Sequence, residues 1–171
     1  SIETFIGEDP YANAIGVNGE LRAKGRLTEA QKATVDNLDR AIRGAKPISG
    51  PMVLYRGFSG DLPKDWVVGT HMSDDAFVST SKSKEIAIDF AEAMGDVGTL
   101  FVIRVPKSAR LLDVASLIKS KRISAPGGID EQQEVILPRN ARFRVVARTG
   151  STVDLDYIGN GYAWSLGRKG V

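Results

Sequence analysis

The chain has 171 residues, 42% hydrophobic and 26% charged, which suits one globular domain around a sizeable core. It has no cysteine and one histidine, so disulfides and thiolate metal sites are excluded. The net charge of +2 excludes a general polycation, and no apolar run approaches the ~20 residues that span a bilayer. The charge is uneven, however. From Arg104 to Arg148 ten basic residues face four acidic ones, a local +6 that suits an anionic ligand, an acidic partner or a solvated basic surface. The chain opens on Ser1 without a signal-peptide pattern, and is expected to be a fragment or processed form of a longer protein.

Residues 1–50 read as mainly helical, with a short helix near Asp9–Val17. Thr28-Glu29-Ala30-Gln31 is a capping-box pattern opening a second helix. Val35, Leu38 and Ile42 mark its apolar face, and Gly44 and Pro47 stop it. Residues 51–158 read as a strand-rich core. Met52–Arg56 predicts a short buried strand ended by Gly57, and Ala76–Ser81 a second. Ser83 caps a helix to about Met94, with Ile86, Phe90 and Met94 on one face. Thr99–Val105 is continuously apolar, as in a central strand covered on both faces. Leu111–Val114 reads as a short strand and Ser116–Lys121 as a helical turn. Pro126-Gly127-Gly128 marks Ser124–Asp130 as a loop, and Gln132–Leu137 follows as a strand closed by Pro138. Phe143, Val145 and Ala147, then Val153, Leu155 and Tyr157, alternate with polar residues in two half-buried strands. A Gly-rich tail, 159–171, is expected to fray. Helices first and strands after, with connections too short for repeated βαβ crossovers, predict an α+β fold in a single domain spanning 1–171.

Three elements carry chemistry. Leu54-Tyr55-Arg56-Gly57 sets an arginine at a strand end, and Phe77-Val78-Ser79-Thr80-Ser81 sets three hydroxyls at another. Gln132-Gln133-Glu134-Val135-Ile136-Leu137-Pro138 opens polar and turns apolar. In this order they resemble the core of the mono-ADP-ribosyltransferase superfamily of the arginine–serine–glutamate type, over about Met52 to Arg148. The closest likeness is to clostridial binary toxins, C3-like exoenzymes and bacterial effectors. Phe90, eleven residues after Ser79, matches an aromatic that packs on nicotinamide in the family, although it equally suits the core beside Ile86 and Met94. Asn18, Leu21 and Arg22 match the family's Asn-x-x-Leu-Arg segment, with Ala14 where its tyrosine would stand.

The resemblance implies N-terminal helices packed on two mostly antiparallel sheets, a split β-sandwich with an NAD cleft. It implies NAD+ as substrate, with no metal. Arg56 would hold phosphates or ribose through its planar fork of donors. Ser79 with Thr80 and Ser81 would bond the ribose and position Glu134, and Glu134 would stabilise the oxocarbenium character of the breaking bond. Arg56, Gly57, Ser79, Thr80, Ser81, Phe90, Asn18 and Arg22 are the expected cofactor contacts. Glu134, Gln132, Ser79 and Arg56 are the expected catalytic set. Residues two apart on a strand share a face, so Gln132 and Glu134 are expected to enter one site. Glutamine at that position resembles family members acting on acceptors other than arginine, such as asparagine, glutamine or threonine.

The expected setting is a secreted or delivered bacterial effector acting in the target-cell cytosol. Its expected partners are NAD+ and a target macromolecule, chiefly a protein of a host or competitor cell, with a cognate immunity or delivery protein and no membrane. Three other readings stay open: an NAD glycohydrolase without acceptor, a transferase acting on arginine or nucleic acid, and a non-catalytic module that kept the fold.

Overall fold

The computed structural model describes residues 2–6, 14–59, 62, 64–92, 98–120, 122–123 and 133–161. The N-terminal part holds α1 (Ile2–Ile6), α2 (Ala14–Ala23) and α3 (Glu29–Gly44). α3 starts where its sequence dictates. Thr28 accepts the Gln31 N–H at 3.2 Å, and the Gln31 side chain accepts the Thr28 N–H at 2.8 Å, so two orphan amides are satisfied reciprocally. The first part of the helix expected near Asp9–Val17 lies outside the described residues, and its remainder falls in α2.

Eight strands follow, with two helices among them: β1 (Met52–Phe58), β2 (His71–Asp74), β3 (Val78–Ser81), α4 (Lys84–Glu92), β4 (Thr99–Val105), β5 (Leu112–Asp113), α5 (Val114–Lys119), β6 (Glu134–Leu137), β7 (Ala141–Thr149) and β8 (Thr152–Asn160). β1 continues through Gly57 to Phe58, beyond the expected stop. β5 is shorter than expected, because the Asp113 side chain caps the Ser116 N–H at 3.0 Å and turns the chain into α5. β8 runs to Asn160, two residues into the segment expected to fray. β2 has no counterpart among the expected strands.

Hydrogen bonding joins the strands in the order β2-β7-β8-β4-β1-β3-β6-β5. Every pairing is antiparallel except β4 with β8. The expected two sheets are therefore two halves of one array, joined where β1 meets β3 at a single residue pair, Tyr55 with Ser81. The halves still pack as layers. Leu54, Phe101, Ile103, Val145, Leu155 and Tyr157 of the five-strand half share one core with Val78, Val135 and Leu137 of the three-strand half. The opposite face of the three-strand half offers Phe77, Leu112 and Ile136 to Phe5, Val17, Val35, Leu38 and Ile42 of the helices. β4 is central as expected, though only its first part is covered on both faces, since Arg104 is exposed.

α4 packs through small residues. A Cβ on Gly57 would lie 2.1 Å from the Ala87 carbonyl oxygen, and one on Gly98 would lie 2.3 Å from the Ala91 Cβ. The buried face of α4 is thus Ala87 and Ala91. The apolar face expected from Ile86, Phe90 and Met94 is not the buried one: Ile86 is half-buried, Phe90 is 56% exposed, and Met94 lies outside the described residues.

Candidate active site

A cleft of about 610 Å³ opens between α2, α4 and the ends of β1, β3 and β6. Arg56, Gly57, Ser79, Thr80, Ser81, Glu134, Phe90, Asn18 and Arg22 all line it. Gln132 alone among the expected site residues lies outside the described ones.

Strand register explains how β3 and β6 meet in the site. Ser81 stands opposite Glu134 and Ser79 opposite Ile136, so Ser79, Ser81 and Glu134 share the face turned toward the helices. Of the three hydroxyls, two serve the fold. Thr80 Oγ1 donates to the Val135 carbonyl at 2.6 Å, and Ser81 Oγ accepts the Ser83 N–H at 3.0 Å where the chain turns into α4. Ser79 Oγ is buried and has no hydrogen-bond partner of good geometry among the described residues. It lies beside the Glu134 carboxyl, on which it acts.

Glu134 opens β6. Burial pushes its carboxyl above the ordinary glutamate value, and the nearby Ser79 hydroxyl pulls it partly back. The residue before it, Gln133, takes a left-handed backbone with φ 48°, and its carbonyl accepts the Lys82 N–H at 3.1 Å. The strand therefore begins at Glu134. Gln132, expected to share its face, lies outside the described residues.

Arg56 donates from Nη1 to the Ser79 carbonyl at 2.7 Å, tying the end of β1 to β3. Burial, then the charge of Arg22, push its guanidinium pKa down, and Asp74 partly restores it. Gly57 lines the cleft and is required by the close approach of α4. On α2, Asn18 Oδ1 accepts the Phe77 N–H at 3.1 Å, and Arg22 is held by Asp74. Phe90 presents its exposed ring at the cleft, so the alternative that it is plain core is set aside.

Sequence reasoning missed Ile15, Tyr55, Phe58 and Ser59, which also line the cleft, and Asp74 behind Arg22. Tyr55 and Phe58 flank the quoted arginine, so a reading of the whole β1 end would have found them. Three basic residues of the stretch Arg104–Arg148 are held by acids outside it. Arg104 pairs with Asp154, Arg144 with Asp156 and Arg139 with Asp39, while Arg110 caps the end of α3 at the Arg43 and Ala45 carbonyls. The cleft's cations, Arg22 and Arg56, come from outside that stretch.

A family model for the ADP-ribosyltransferase exoenzyme matches residues 9–158. The chain belongs to the ADP-ribosyltransferase exoenzyme family. Among solved structures it is similar to exoenzyme S from Pseudomonas aeruginosa in complex with human 14-3-3 protein beta and bound to carba-NAD. That match has a TM-score of 0.64 at 18% identity, covering 83% of this chain and 66% of that one. The Clostridium limosum C3 exoenzyme matches with a TM-score of 0.63 at 16% identity, covering 86% of this chain and 80% of that one. The enzymatic component C2-I of the Clostridium botulinum C2 toxin gives 0.64 at 19%, covering 94% of this chain and 42% of that one. This exoenzyme domain thus spans just under two thirds of the exoenzyme S chain and under half of C2-I. No curated protein sequence matches it. The family is one of NAD+-dependent ADP-ribosyltransferase toxins, and NAD+ is the substrate it implies here.

Proposed function

We propose that this exoenzyme domain cleaves NAD+ at the nicotinamide–ribose bond and transfers ADP-ribose to a protein acceptor other than arginine. The observation that carries the reading is the convergence of Arg56, the buried Ser79 hydroxyl and the buried Glu134 carboxyl in one cleft. As the bond breaks, its electron pair passes to the nicotinamide nitrogen and neutralises that ring. The ribose carbon takes on positive character. Glu134, ionised, stabilises it at close range in a low-dielectric site, and Ser79 bonds a ribose hydroxyl. The acceptor then forms its bond at that carbon and loses a proton. Arg56 and Arg22 hold the pyrophosphate, and Phe90 offers a ring face to the nicotinamide. Gly57, Thr80, Ser81 and Asn18 shape the walls. Gln132, by its resemblance to C3-like enzymes, favours asparagine, glutamine or threonine as acceptor. The proposed setting is a delivered bacterial effector acting in the cytosol of a host or competitor cell.

The test measures nicotinamide release and labelled ADP-ribose retained on lysate macromolecules, with protein and RNA recovered separately. Label on protein, with free agmatine unlabelled, supports the reading. Release without retained label makes the domain a glycohydrolase instead. Glu134→Gln should keep NAD affinity and lose both signals, and wild-type turnover in that variant would falsify the role of Glu134.

A further inference from the structure

Asp74 closes β2 and lies behind the cleft, where no motif draws attention to it. Its carboxylate accepts three hydrogen bonds. Arg22 Nε donates to Oδ1 at 3.0 Å and Arg22 Nη2 to Oδ2 at 2.8 Å, while the Ala76 N–H donates to Oδ1 at 3.0 Å. The pair is thus a two-point fork, the geometry that fixes a guanidinium in direction as well as in place. Asp74 is itself fixed, because β2 is zipped to β7 and the Ala76 amide locks the carboxylate's rotation.

The need for such a clamp follows from charge. Arg22 and Arg56 line the same cleft, and each sits in the other's field. Two guanidiniums side by side repel, and the long Arg22 side chain, 41% exposed, would be free to swing into solvent without a tether. Asp74 faces both cations, holding one directly and favouring the charge of the other.

We propose that Asp74 is a positioning residue that holds the Arg22 guanidinium beside Arg56, so that the cleft meets the dianionic pyrophosphate of NAD with two fixed cations. This rests on the NAD reading of the cleft. The ligand's ordering cost falls because one rotamer-rich side chain is already immobilised.

The test uses the whole chain and measures steady-state nicotinamide release together with calorimetric titration of ADP-ribose, which carries the pyrophosphate without the reacting bond. Asp74→Asn should raise the KM for NAD and the Kd for ADP-ribose about tenfold, the scale of a charge-assisted hydrogen bond. Its kcat should stay within about twofold, because the lost interaction is formed equally in ground and transition states. Asp74→Asn should add no further loss in an Arg22→Gln background, since the two residues act as one unit. Arg22→Lys, which keeps the charge but not the fork, should mimic Asp74→Asn, and serves as the second variant if Asp74→Asn is poorly folded. Tighter ADP-ribose binding in Asp74→Asn would overturn the proposal, because Asp74 would then be only a repelling anion. So would an equal further loss in the Arg22→Gln background. If the wild type binds neither NAD nor ADP-ribose, the NAD reading itself fails. If Arg22→Gln weakens binding and Asp74→Asn does not, only the role of Asp74 fails.

Discussion

Glu134 shows how a single side chain joins sequence, burial and chemistry. Its backbone pairs with Ser81, its carboxyl is drawn out of water, and burial favours the neutral form that the proposed reaction cannot use. An acid limb in the rate is the expected consequence. The kcat/KM for NAD, which reports the free enzyme, should fall on acidification with a midpoint above the ordinary glutamate range. The kcat limb should lie at lower pH, because the positive nicotinamide in the complex favours the carboxylate. Coincident limbs at the ordinary value would show that burial does not govern Glu134. The same shift has a stability sign. Between the ordinary glutamate value and the raised one, the native protein holds more protons than the unfolded chain. Stability then declines as pH rises through that window. Glu134→Gln should flatten the decline in denaturant titrations. At this scale the sequence was informative where residues are neighbours in a motif. Glu134, Ser79 and Arg56 could be picked out in order, but Asp74 could not, because it meets Arg22 across 52 positions.

Among elements, α4 shows what periodicity hides. Its large residues, Ile86 and Phe90, suggested a buried face, yet the face that packs is Ala87 and Ala91, where β1 approaches too closely for anything larger. Gly57→Ala places a methyl group against a backbone oxygen that cannot move away, and overpacking of this kind costs about 1–3 kcal/mol. Thermal unfolding should show a Tm lower by about 2–4 °C for each kcal/mol, with NAD affinity falling as α4 shifts. Phe90→Ala makes the contrast. The ring is 56% exposed, so stability should change by less than about 0.5 kcal/mol while NAD affinity drops. A large stability loss with unchanged affinity would place Phe90 back in the core. β2 escaped notice because His71 to Asp74 is only four residues long and half-exposed at a sheet edge, too short for a period to register. The capping box at Thr28 was plain because its partners lie three residues apart.

For the molecule as a whole, α+β character and the order of helices before strands were legible, since both follow from local pattern. The path of the sheet was not. The parallel union of β4 with β8, and the single pair by which β1 meets β3, depend on contacts far apart in the chain. Local positive charge did not locate the cleft's cations either. Within the basic stretch, Arg104, Arg139 and Arg144 find acids outside it, Asp154, Asp39 and Asp156. The cleft's own cations come from α2 and β1, elements of unremarkable charge.

The bond from the Phe77 amide to Asn18 has a consequence for observation. That amide points at a helix 59 positions earlier in the chain, instead of at a neighbouring strand. Its exchange with deuterated solvent should therefore report the lifting of α2 from the sheet, while the amides inside β3 report the sheet itself. In a native-state exchange experiment Phe77 should lose protection at lower denaturant than the Thr80 amide. On the proposed reading, in which NAD contacts both α2 and the strands, saturating NAD should slow Phe77 selectively. A single backbone proton beside the cleft would thus time the separation of α2 from the sheet.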